Sequence, residues 1–181
     1  MSIKNGLLSL LLEGPKYGFQ LKKEFEEVTG HVWSLNVGQV YTTLGRMVRD
    51  GLVTEEEGDD ARTGDDGQRS YRLSSAGREA VDAWFTSPRA TDQHERDELT
   101  IKVAMAVAAD RPDIADLLQA QRSEATSSLQ ALTRRKARLE PDDISQAVVL
   151  DAAISRLDAE VRWLDLTTAR LAGPKHRGSR T

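Results

Sequence analysis

Asn36-Val-Gly-Gln-Val-Tyr-Thr-Thr-Leu-Gly-Arg-Met-Val-Arg-Asp-Gly51 is the stretch whose pattern decides the architecture. Val40, Leu44, Met47 and Val48 recur at i, i+4, i+7 and i+8, the spacing that lines one side of an α-helix and must face a core. The opposite side carries Gln39, Thr42, Thr43, Arg46 and Arg49, with Tyr41 at its flank. Asn36 is a favourable N-cap, and Gln39 three positions on permits a reciprocal capping box. Asp50-Gly51 supplies the stop at the other end. The segment is therefore an amphipathic helix whose outward face bears short hydrogen-bonding side chains and arginine.

Upstream, Ile3 to Glu13 reads as a short apolar helix stopped by Gly14-Pro15. A second helix runs from Gly18 to about Gly30, with Leu21, Phe25 and Val28 at helical spacing and charged residues on its other faces. The linker His31-Val-Trp-Ser-Leu35 has room for one or two extended residues, and Trp33 is assigned to the core. Downstream, Leu52-Val-Thr54 and Arg69-Ser-Tyr-Arg-Leu73 are β-prone runs separated by an acidic, glycine-containing loop, which predicts a hairpin with a long tip. Ser74 or Ser75 then caps a helix with Ala80, Val81, Trp84 and Phe85 on one side, ended by Ser87-Pro88. Three helices, a two-stranded hairpin and a fourth helix, over residues 1–88, make a winged helix-turn-helix.

Beyond Pro88 the chain turns alanine- and leucine-rich and almost free of glycine. Helices are predicted near 93–108, 112–139 and 142–172, with Pro112 and Pro141 in first turns. In the last helix Ala147, Leu150, Ile154, Leu157, Val161, Leu164, Thr168 and Leu171 alternate steps of three and four, which is a heptad seam. Helices with such seams do not fold as an isolated arm, so pairing with the same region of another subunit is expected. Leu150, Ile154, Leu157, Val161, Leu164 and Leu171 are the expected dimerisation residues. The fold class is mainly α: an N-terminal winged helix-turn-helix with a small β-hairpin wing, then an all-α, coiled-coil-like dimerisation and possible effector domain over 89–172. Residues 173–181 read as a basic tail expected to be disordered.

The chain has 181 residues, 39% of them hydrophobic and 30% charged, enough to bury a core yet remain soluble. No apolar stretch approaches the roughly 18 residues of a membrane span. Met1-Ser-Ile-Lys leads into an apolar run interrupted by Glu13 with no cleavage site behind it, so a cytoplasmic location is expected. Cysteine is absent, which excludes disulfides and thiolate chemistry. His94-Glu-Arg-Asp-Glu98 lacks the second histidine of a zinc-protease helix. No phosphate-cradling Gly-rich loop with Lys-Ser/Thr and no Gly-x-Ser-x-Gly elbow occurs, so neither an enzyme nor a cofactor is implied.

The net charge of −4 does not exclude DNA, because a small basic surface can sit on an acidic molecule. Glu55, Glu56, Glu57, Asp59, Asp60, Asp65 and Asp66 crowd into one segment with a single base, Arg62. A major groove admits one α-helix, and base edges are read by hydrogen-bonding side chains. Asn36, Gln39, Tyr41, Thr42, Thr43 and Arg46 on the third helix suit that task. Lys16, Tyr17 and Lys22 lie where the second helix would approach the backbone. Arg69 and Arg72 of the wing could contact phosphate, with the acidic tip bent away, although Arg72 could equally serve a structural salt bridge. Trp84 and Trp163 are candidates to stack on a planar effector, against simple packing. The rival reading is a winged-helix protein–protein adaptor, which would more naturally expose apolar side chains on the third helix.

Three runs carry a family resemblance: Leu7-Leu-Ser-Leu-Leu-Leu-Glu-Gly-Pro-Lys-Tyr-Gly-Phe-Gln-Leu-Lys-Lys23, Val37 to Val53, and Tyr71-Arg-Leu-Ser-Ser-Ala-Gly-Arg78. In order and spacing the chain resembles the PadR family of bacterial transcriptional regulators over residues 5–85. Asp97-Glu-Leu99 and the apolar stretch after it look like the start of the C-terminal domain in the family's longer branch. The resemblance implies a homodimer reading a short inverted repeat on double-stranded DNA, usually as a repressor relieved by a small hydrophobic or aromatic effector. Tyr17, Gly18, Gly38, Tyr41 and Arg46 match family positions, and Tyr17 and Tyr41 match its DNA-facing tyrosines. Gln39 departs from the small residue common there, and the acidic wing is a second departure.

Overall fold

A computed structural model describes residues 3–57, 69–88 and 97–173. The expected wing tip with Arg62, the expected helix start at 93–96 and the tail after Gly173 lie outside the described residues. The chain divides into two compact units, one ending at Arg89 and the other beginning at Ala90.

The first unit contains α1 (Ile3–Leu10), a single 3₁₀ turn (Leu11–Glu13), β1 (Lys16–Tyr17), α2 (Gly18–Val28), α3 (Val37–Arg49), β2 (Val53–Glu57), β3 (Arg69–Leu73) and α4 (Ser75–Thr86). α3 forms where its stripe predicts: Val40, Leu44 and Met47 are fully buried, and Val48 packs against them. Asn36 caps it by accepting from the Gly38 N–H at 2.8 Å, one residue earlier than a capping box would require. At the far end the Gly51 N–H bonds the Val48 carbonyl and the Leu52 N–H reaches back to Met47, closing carbonyls a helix end would otherwise leave open. Leu7 and Leu8 of α1, Leu21 and Phe25 of α2, Val53, Tyr71 and Val81 complete one core, with Trp33 at its edge. Apolar burial of this kind is worth roughly 25 cal/mol per Å² removed from water.

The sheet differs from the expected two-stranded hairpin. Its order is β1-β3-β2, all antiparallel, with Lys16 opposite Tyr71 and Tyr17 opposite Ser70. β2 runs on to Glu57, so Glu55, Glu56 and Glu57 belong to a strand and not to the loop. A β-ladder is built from backbone groups, and acidic side chains are tolerated where cations lie diagonally across. α4 is docked on this sheet by Ser74, whose hydroxyl donates to the Gly51 and Leu52 carbonyls and accepts from the Gly77 N–H. Gly77 permits the approach, since a Cβ there would lie 2.1 Å from the Leu52 carbonyl oxygen. Val81 is fully buried, but Trp84 and Phe85 are exposed, so the expected apolar side of α4 leaves the core in its last turn.

The second unit holds α5 (Glu98–Ala108), α6 (Ile114–Lys136) and α7 (Ile144–Ala172). Asp97 caps α5 through the Leu99 and Thr100 N–H groups, and the Thr100 hydroxyl, then desolvation in opposition, leave its carboxyl below the usual range. Pro112 and Pro141 precede their helices in turns instead of entering first turns, where a fixed φ serves equally well. Arg122 pairs with Asp165 at 2.6 Å and Lys136 pairs with Asp151, so α6 and α7 run antiparallel. Leu118, Ala125, Leu150 and Leu164 are buried between elements of this one chain. Leu150 and Leu164 therefore depart from the expected dimer set, because side chains with no exposure left in one chain gain no burial from a second. No helix among the described residues is long and apolar enough to cross a membrane.

Candidate nucleic-acid interface

The outward side of α3 follows from its inward side. With Val40, Leu44 and Met47 turned to the core, Gln39, Thr42 and Arg46 are exposed and Thr43 is half-buried. These four sit at i, i+3, i+4 and i+7 and share one stripe. Thr43 donates its hydroxyl to the Gln39 carbonyl at 2.7 Å, which fixes its rotamer. Arg46 has no ion pair among the described residues, whereas Arg49 is paired with Asp50 at 3.2 Å. Gln39 and Arg46, whose side-chain donors have no partner among the described residues, lie on one helical stripe and can address the acceptor edges of purines. Val37, at the head of the same helix, is 45% exposed and was not among the residues singled out from sequence. A lone valine carries no periodic signal.

Tyr41 is exposed at the flank of this stripe, and its ring lies over the start of α2. A Cβ on Gly18 would meet the Tyr41 ring at 2.7 Å, so glycine there lets the two helices approach. Tyr17 is half-buried on β1 beside that contact. The helix-turn-helix angle is held by Glu26. Its carboxylate accepts from Lys22 at 2.8 Å and from the Leu35 N–H at 2.9 Å, tying α2 to the entry of α3. The Lys22 ammonium and then the Leu35 N–H hold the Glu26 carboxyl below its ordinary range. Lys22 is thereby committed to the fold.

Lys16 departs from expectation more sharply. It is only 6% exposed, and its ammonium is bound by Glu13 at 2.7 Å and by Glu24. Burial pushes that ammonium down, but hydrogen bonds to the two carboxylates outweigh it and the net direction is upward. A phosphate would have to displace two carboxylates from a buried site, so Lys16 reads as a structural cation. On the wing, Arg69 donates to Glu55 at 3.1 Å, and Arg72 grips both oxygens of Glu56 at 2.6 and 3.1 Å. The Arg72 guanidinium holds the Glu56 carboxyl below its usual range. Tyr71 between them is buried, and burial together with Glu55 pushes its phenol up.

The two tryptophans fall in different units. Trp84 is 42% exposed on α4 with its ring tilted against Phe85, centroids 4.9 Å apart. Trp163 packs at the edge of the cluster formed by Val103, Leu118 and Leu164.

Residues 7–83 match the transcriptional regulator PadR-like family, and residues 95–172 match the virulence activator alpha C-terminal family. The negative transcriptional regulator PadR of Bacillus subtilis (strain 168) is 24% identical, over 93% of this chain and 97% of that protein. The fold is similar to that of Bacillus subtilis PadR crystallised in complex with operator DNA, with a TM-score of 0.74, 22% identity, and coverage of 94% of this chain and 99% of that one. It is also similar to the same protein in complex with p-coumaric acid, at a TM-score of 0.71 and 22% identity over the same shares of the two chains. With its two halves matched in order and a relative aligned along nearly its whole length, the chain is similar throughout to the PadR-like transcriptional regulators, and residues 7–83 match that family's own model.

Proposed function

We propose that the chain is a homodimeric, sequence-specific DNA-binding repressor that acts in the cytoplasm, reads an inverted-repeat operator with α3 and is released by a small hydrophobic or aromatic effector. The observation that carries this reading is the division of α3: three fully buried apolar residues on one side, and on the other Gln39, Thr42, Thr43 and Arg46, which has no ion pair among the described residues. An adaptor helix would present an apolar patch where this one presents donors. The relative's description as a negative regulator, and the complexes of its structure with operator DNA and p-coumaric acid, support repression and effector release.

In this reading residues 1–88 bind DNA, 89–172 dimerise and house the effector, and 173–181 form a tail. Asn36, Gln39, Tyr41, Thr42, Thr43 and Arg46 face the groove, with Tyr17 beside them. Two copies of α3 sit about one helical turn apart, roughly 34 Å, held by the helical units. Ile154, Leu157, Val161 and Leu171 remain candidates for the contact between copies, since all keep exposed surface. Trp163, at the edge of an apolar cluster, is the stronger effector candidate and Trp84 the weaker. The effector releases DNA only through its different affinity for two arrangements of the copies.

The test is fluorescence anisotropy of the full-length protein on the duplex upstream of its own gene, against a scrambled duplex and with selection from genomic fragments in reserve. Arg46→Ala should weaken binding by roughly 5- to 150-fold, the cost of one base contact of about 1–3 kcal/mol. A chain truncated after Pro88 should be monomeric and bind the operator severely less well. Equal binding of operator and scramble by the intact chain, with Arg46→Ala indistinguishable, would refute the proposal.

A further inference from the structure

Of the cations placed to meet DNA, Arg46 of α3 and the two arginines of the wing are in opposite states. Arg46 has no carboxylate partner among the described residues, while Arg69 and Arg72 are each held by a glutamate of the neighbouring strand. The pairing is built into the register. Glu56 lies opposite Ser70 and Glu55 opposite Tyr71, so each arginine reaches one step diagonally to its carboxylate, a distance long side chains span across a sheet. Arg72 uses its Nε and Nη2 on the two oxygens of Glu56, at 2.6 and 3.1 Å. That is the two-pronged geometry a guanidinium also uses on a phosphate. Both pairs are exposed, with Arg72 and Glu56 side chains at 53% and 42%, so they are open to exchange with an incoming anion.

Resting on the reading of the first unit as a DNA-binding domain, we propose that Glu55 and Glu56 occupy the phosphate-binding capacity of the wing and set operator affinity by competing with DNA for Arg69 and Arg72. A phosphate that takes Arg72 releases a condensed cation from the DNA. It also leaves Glu56 unpaired, and that carboxylate recruits a cation in return. The usual gain from counterion release is therefore largely cancelled on the wing. Operator affinity then rests on α3, where Arg46 has no such competitor among the described residues.

The test uses the full-length protein and the anisotropy assay above, over a series of salt concentrations, with Glu56→Gln, Arg72→Gln, the double variant Glu56→Gln/Arg72→Gln, Glu55→Gln and Arg46→Ala. Glutamine keeps the shape and an acceptor oxygen but gives up the charge, and an exposed pair contributes little to folding. Circular dichroism should therefore match the wild type. Glu56→Gln should bind the operator roughly three- to tenfold more tightly at moderate salt, with the log–log salt slope steeper by about 0.9 for the added phosphate contact. Arg72→Gln alone should stay within about twofold of wild type, and adding it to Glu56→Gln should abolish the gain. Glu55→Gln should act in the same direction through Arg69.

Unchanged affinity and slope in both glutamine variants, with wild-type binding specific and sensitive to Arg46→Ala, overturns this proposal and leaves the functional reading standing. A gain that survives in the double variant also overturns it, because the carboxylate would then act only by repelling phosphate. Wild-type binding that does not distinguish operator from scramble overturns both.

Discussion

The two units bury their apolar side chains very differently. In the first, helices and sheet close around a shared set that includes Leu7, Leu21, Leu44, Met47, Val53 and Val81, all essentially without exposure. In the second, the buried cluster among the described residues reduces to Val103, Leu118 and Leu164, while Ile101, Met105, Ile144, Val148 and Leu166 stand 47–71% exposed. The first unit has a core that can hold it folded alone. The second consists of long helices that bury one edge against each other and leave apolar surface unspent. That contrast is what the proposed division of labour between the two units requires, and it predicts that substitutions will act through different observables in each.

The largest effect should come from the first core. Leu44→Ala should cost about 3–5 kcal/mol, the usual range for a fully buried leucine, read by urea unfolding in a background with Trp84 and Trp163 replaced by phenylalanine, so that Trp33 alone reports. Leu164→Ala should cost less, about 2–4 kcal/mol, because the thinner surroundings of that side chain can relax into the gap, with Trp163 reporting. If either substitution moved both reporters together, the units would fold as one and the contrast would fail. Gly77→Ala follows at about 1–3 kcal/mol, since a Cβ 2.1 Å from the Leu52 carbonyl must push α4 off the sheet. Leu166→Ser, at a position 71% exposed, should change the stability of a single chain by less than about 0.5 kcal/mol. It should instead weaken self-association in sedimentation across a dilution series. The smallest effect is acidic. Glu26 has its folded pKa below the unfolded value, so its clamp contributes fully above the unfolded pKa and is lost as pH falls through the lower, folded one. Glu26→Gln should lower the unfolding midpoint slightly at neutral pH and converge with the wild type in acid, so the acid limb is flattened.

How far the residues alone could be read follows the range of the interactions. The helix of residues 37–49 was readable because its signal, a stripe at a period near 3.6, is local. The caps at Asn36 and Ser74 were readable for the same reason. β1 was missed because two residues carry no periodicity and its ladder partner lies more than fifty positions away. Three consecutive glutamates at 55–57 read as a loop, since nothing nearby announced the arginines across the ladder. Lys16 read as surface for a related reason: its charge is visible in sequence, whereas Glu24 beside it is a product of folding. The heptad of α7 marks a face for pairing with another helix, but a period does not say whose helix answers it. Leu150 and Leu164 are answered within the chain.

The ring of Tyr41 over Gly18 has a consequence for how this protein can change over generations. A methyl group at position 18 meets the far edge of a side chain that can swing aside, so the molecule survives the substitution with its fold intact. What moves is the tyrosine at the rim of the recognition helix. In the proposed reading, variation at Gly18 would alter operator binding before it altered stability, and a smaller residue at 41 would relieve it where a stronger core would not. The two positions are free to drift together and constrained to do so.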